Sequence, residues 1–66
     1  MNEINEEIAL LMVREQANVV YRTNKASKEW VHELNKLDRM ASELRHAGVD
    51  AYEVEHVIID AWAYKG

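Results

Sequence analysis

Apolar residues recur along this chain in steps of three and four, with polar residues filling the gaps. The clearest run is Trp30, Leu34, Leu37, Ala41 and Leu44, spaced 4, 3, 4 and 3. That is the rhythm of one helix face pressed along another. Met40 and Ala47 widen the stripe, while Lys28, His32, Asn35, Lys36, Arg39, Ser42 and Glu43 fall opposite it. The pattern predicts a helix over roughly 27–47. Ser27 suits its N-cap, where a side-chain oxygen can accept from a backbone N–H that the helix leaves unpaired. Gly48 stands just past its end, where a left-handed backbone costs glycine little. Arg45 and His46 lie in the last turn, on the favourable side of the helix dipole.

A shorter helix is predicted over roughly 51–64, with Val54, Val57, Ile58, Ala61 and Trp62 on one apolar face. Asp50 and Glu53 have the spacing of a capping box, with Asp in place of the usual Ser or Thr. Only Gly48 and Val49 separate the two helices, so the chain must turn sharply there. The first segment, roughly 3–22, is different. Ile4, Ile8, Leu11, Met12 and Val19 make one face; Ala9, Leu10, Val13, Ala17, Val20 and Tyr21 make a second. A helix that is apolar nearly all round is covered on more than one side. Two other short helices leave little with which to do so. The expected result is an all-α fold: a helical hairpin plus a shorter third helix, in one domain spanning 1–66, assembled as a homodimeric bundle with the first helix central. Ile8, Leu10, Leu11, Val13, Ala17 and Val20 are the expected contact between copies. Between the first two helices, Thr23–Ser27 contains neither Gly nor Pro. Projected backwards, the stripe of the second helix becomes polar at Ser27 and Thr23, which predicts a turn rather than one continuous helix.

Size strengthens the case for assembly. A 66-residue chain buries only about 60% of the surface that its unfolded form exposes. There is no Cys, so neither a disulfide nor a thiolate metal site can supplement the core. That leaves a second subunit as the expected source of extra stability. The lack of Cys also suits a reducing cytoplasm. The longest apolar run, Ile8–Val13, is far short of the ~20 residues of a membrane span. The acidic start MNEINEE is unlike a signal or transit peptide.

Net charge is −4, unevenly spread. Residues 1–21 set Glu3, Glu6, Glu7 and Glu15 against Arg14, and residues 48–66 set Asp50, Glu53, Glu55 and Asp60 against Lys65. Only the middle segment is weakly basic, through Arg22, Lys25, Lys28, Lys36, Arg39 and Arg45, and its carboxylates interleave with them. This bears on the stretch from Leu44 to Ile59, which has the outline of a DNA-reading helix-turn-helix. Ala47 and Val49 flank the turn Gly as such a motif needs, and Val54 and Val57 could anchor the second helix. Leu44 is too large for a point where two helices nearly touch. The would-be reading helix presents Asp50, Glu53, Glu55, His56 and Asp60, with no cation before Lys65. Phosphate neutralisation supplies most non-specific DNA affinity, so a plain helical corner is the better reading. A dimeric nucleic-acid-binding regulator using the basic strip of the second helix is the alternative.

Chemistry is sparse. Glu53 and His56 form one Glu-x-x-His step, with Asp60 four residues on, but a di-iron bundle needs two such steps and two further Glu residues. An exposed His on an acidic helix is the simpler reading, and neither a metal nor a cofactor is expected. Ser27 is best spent as a cap, Ser42 has no evident base, and no glycine-rich phosphate loop exists. No catalytic constellation is legible. Trp30 and Trp62 fall on apolar faces, as packing residues do. Tyr52, Ile59 and Tyr64 lie off the main stripe of the third helix, rimmed by Glu53, Glu55 and Asp60. Tyr is enriched at interface hot spots, so this set is the candidate docking patch for a basic partner protein. The chain reads as a small acidic interaction module, of the kind bacteria, phages and mobile elements encode as regulators or inhibitors. A structural subunit of a larger assembly is a third reading.

Overall fold

The computed structural model describes residues 5–64 and shows three helices: α1 (Glu6–Arg22), α2 (Lys28–His46) and α3 (Ala51–Tyr64). The expected hairpin and shorter third helix are present. α1 and α2 run in opposite directions. α3 then returns alongside α1, with Val57 sharing a groove with Leu10 and Trp62 reaching Ala17 further along. α1 packs against both neighbours, and α2 and α3 meet over a smaller area.

Each boundary has a local cause. The Asn5 side chain accepts from Ile8 N–H at 3.3 Å and its backbone is extended, so α1 begins at Glu6; the expected start near residue 3, with Ile4, lies outside the described residues. Thr23 ends α1: its backbone N–H and its hydroxyl both donate to the Val19 carbonyl, the hydroxyl at 2.6 Å. The turn that follows is held without Gly or Pro. Asn24 Oδ1 accepts from Ala26 N–H at 2.9 Å, and the Asn24 carbonyl accepts from both the N–H and the hydroxyl of Ser27. Ser27 Oγ in turn accepts from Trp30 N–H at 3.2 Å, capping α2 as expected. Short polar side chains thus satisfy the backbone that the turn interrupts.

At the other end of α2, Val49 N–H bonds the Leu44 carbonyl and Gly48 N–H bonds the Arg45 carbonyl, each near 3.0 Å. This is the Schellman arrangement, in which a left-handed residue closes the helix. Gly48 supplies that residue with φ +103°. Leu44 and Val49, the apolar pair that accompanies the motif, are both buried. The cap of α3 is simpler than a full capping box. Asp50 Oδ1 accepts from Tyr52 N–H at 3.0 Å, rather than from Glu53 N–H. Glu53 N–H bonds the Asp50 carbonyl instead.

The core is Val13, Ala17 and Val20 of α1, Leu37, Ala41 and Leu44 of α2, Val49 of the turn, and Val54 and Ala61 of α3. Ala9, Leu10, Trp30, Leu34, Met40, Val57 and Ile58 pack around it. The α2 stripe read from spacing therefore faces inward as expected. Among the described residues, two side chains hydrogen-bond between helices. Gln16 is buried, and its Nε2 donates to the Glu33 carbonyl at 2.9 Å and to Glu33 Oε1 at 2.7 Å. The indole N–H of Trp62 donates to the Ala17 carbonyl at 3.0 Å, tying α3 to the middle of α1. Among the described residues, no buried side-chain polar atom lacks a partner.

The Gln16 clamp yields a prediction. Truncation by Gln16→Ala removes both bonds and leaves a partly buried carboxylate without its donor. The expected loss is about 1–3 kcal/mol in urea denaturation, typical when one partner of a buried polar pair is deleted. A loss below about 0.5 kcal/mol would show that water replaces the amide at no cost.

Candidate protein–protein interface

Among the described residues, uncovered apolar surfaces include one on α1 and one on α3. On α1, Ile8, Leu11 and Met12 are 56–59% exposed. They stand at i, i+3 and i+4, so their side chains form one continuous ridge. A shallow groove runs along each side. The groove toward α3 is lined by Glu7, Leu10, Leu11, Arg14 and Val57. The groove toward α2 is lined by Ala9, Met12, Val13, Met40, Glu43 and Leu44. Scattered exposed apolar residues are ordinary on proteins, and a contiguous apolar ridge between apolar grooves is a candidate interaction surface.

The structure divides the residues expected between copies. Ile8 and Leu11 are exposed and Leu10 is half-buried. Val13, Ala17 and Val20 are 1%, 0% and 3% exposed and belong to the chain's own core. They pack against α2 and α3 and are not available to a second copy. The correction has a simple cause. Both faces of α1 are apolar, and spacing alone does not say which one the same chain covers. The face that carries Val13, Gln16, Ala17 and Val20 went inside. Ile8, Leu11 and Met12 were left outside.

On α3, Tyr52 is 74% exposed and Ile59 59%. They are seven residues apart and so share the face that points away from the core. Glu53 and Glu55 are exposed beside them, and Asp60 is half-buried. The side chain of Tyr64, the remaining member of the expected patch, lies outside the described residues. His56 joins the group. Its ring lies 6.3 Å from that of Tyr52, tilted by 44°, and its Nδ1 is 3.8 Å from Asp60 Oδ2. His56 is exposed, as expected for a His on an acidic helix. Its place in the patch was legible from the i, i+4, i+8 spacing of Tyr52, His56 and Asp60. Among the described residues, no group of three His, Cys, Asp or Glu side chains is arranged to hold a metal ion.

Comparison with known proteins adds no relative. Neither a family model, nor a curated protein, nor a solved structure matches this chain. The reading of the surface therefore rests on its own geometry.

A third feature is a cavity of about 230 Å³ at the far end of the bundle, lined by Val20, Tyr21, Lys25, Trp30, Leu34 and Trp62. It is smaller than the roughly 300–1,000 Å³ usual for a bound small molecule. Trp30 is half-buried and packs against the core as its apolar face suggested, whereas Trp62 is 37% exposed and is held by its indole N–H on the Ala17 carbonyl. No helix among the described residues is long and apolar enough to cross a membrane.

Proposed function

We propose that this chain is a small non-enzymatic interaction module, a regulator or inhibitor type of protein, which pairs with a second copy and docks a larger partner protein through α3. The supporting observation is the outward face of α3. Tyr52 and Ile59 stand clear of the core inside an acidic setting of Glu53, Glu55 and Asp60. An exposed aromatic and an aliphatic anchor within a charged rim is the anatomy of a protein-binding hot spot. The negative rim selects a partner that is basic around its own apolar socket. It also disfavours nucleic acid, whose phosphates it would repel.

The experiment is affinity capture from the native host with the wild-type chain and with Tyr52→Ala/Ile59→Ala. Both residues are exposed, so the double variant should keep its helical circular dichroism. A stoichiometric partner held by the wild type should bind the variant at least about 30-fold more weakly, the equivalent of one hot spot of ~2 kcal/mol. Equal capture by the variant would remove α3 as the docking face. Steeply salt-dependent binding to duplex DNA would favour a nucleic-acid regulator instead.

A further inference from the structure

We infer that two copies of this chain pair antiparallel across the Leu10–Leu11 edge of α1, with Glu7 of each copy meeting Arg14 of the other. The inference deepens the proposed self-association by naming the surface and its register. The groove between α1 and α3, about 330 Å³, is lined by Glu7, Leu10, Leu11, Arg14 and Val57. Four of these come from two turns of α1. Glu7 and Arg14 are seven residues apart, so they project from nearly the same side of the helix, separated by about 10.5 Å along its axis. The two leucines lie midway between them.

This arrangement is self-complementary under one operation only. A two-fold axis between Leu10 and Leu11 sets Glu7 of one copy opposite Arg14 of the other and, by symmetry, Arg14 opposite Glu7. The same axis brings the leucine pairs together, with Val57 beside them and Ile8 and Met12 at the rim. A parallel pairing would place Glu7 against Glu7 and Arg14 against Arg14. An isologous interface requires such self-matching of one patch, and ridge-and-groove relief lets helices interdigitate there. Both charged residues are exposed and neither forms an ion pair within the chain among the described residues. Leu11 is 59% exposed and Leu10 half-buried, so each copy brings an apolar centre that water now covers.

Charge reversal with sedimentation equilibrium tests the register. Glu7→Arg alone and Arg14→Glu alone each turn two attractions into two repulsions and should weaken self-association about 10- to 30-fold. The two single variants mixed in equal amounts should form a heterodimer as tight as the wild-type homodimer, because one copy then offers two cations and the other two anions. The double variant Glu7→Arg/Arg14→Glu should pair with itself again. Leu11→Arg, at an exposed site, should abolish pairing with helical content unchanged. A wild-type dimer indifferent to all four variants would overturn this interface and leave self-association standing. A wild-type chain that remains monomeric at hundreds of micromolar would overturn both.

Discussion

Leu37→Ala is expected to cost about 2–5 kcal/mol, the range for truncating a buried leucine where the surroundings relax only in part. Leu37 is 3% exposed at the middle of α2 and belongs to the core shared by all three helices. The effect is large because the reserve is small. A domain of 66 residues has a total stability of roughly 3–10 kcal/mol at the usual 0.05–0.15 kcal/mol per residue. The variant should therefore melt at least about 10 °C lower, since 1 kcal/mol moves the midpoint of so short a chain by ~4–8 °C. Val31 on the same helix is half-exposed and outside the core. Its replacement by Ala should stay within about 0.5 kcal/mol. Both melts belong at several concentrations, because pairing stabilises the folded state by mass action. Similar midpoints for the two variants would contradict the packing described above.

Gly48→Ala should cost about 1–2 kcal/mol. The loss does not come from crowding. A Cβ added at Gly48 would meet no atom within 4 Å. It comes from φ +103°, which side-chain-bearing residues rarely adopt. The backbone cannot relax to a negative φ without giving up the bonds from Gly48 and Val49 to the last carbonyls of α2. Moving those bonds would also withdraw Val49 from the core and change the angle at which α3 leaves. Gly48→Asn should be milder, because Asn tolerates left-handed backbone better than other residues with a side chain. Chemical denaturation of the three proteins gives the comparison. A Gly48→Ala variant as stable as the wild type would mean that lost freedom in the unfolded chain outweighs the strained φ.

The α2 stripe was readable because only one of its faces is apolar. Trp30, Leu34, Leu37, Ala41 and Leu44 had a single way to be hidden, and the structure hides them or packs them at the core's edge. Ser27, Gly48 and Asp50 were readable as boundaries for a similar reason. Capping and left-handed turns depend on bonds within a few residues, so local chemistry is enough. The turn at Thr23–Ser27 was legible as polar, but its mechanism was not. Asn24 and Thr23 do as much there as Ser27, through bonds that depend on the path taken by the backbone.

The sequence by itself determined three helices, the Ser27 and Gly48 boundaries of α2 and its inward face, because periodicity and neighbouring side chains are one-dimensional properties. The tertiary structure decided which face of α1 is spent inside. Val13, Ala17 and Val20 are buried in the core formed with α2 and α3, and Ile8, Leu11 and Met12 remain on the surface. It also paired Gln16 with Glu33 and the Trp62 indole with the Ala17 carbonyl, contacts across 17 and 45 residues that no spacing rule contains. Both choices turn on which faces the three helices turn toward one another, which exists only once the helices have packed.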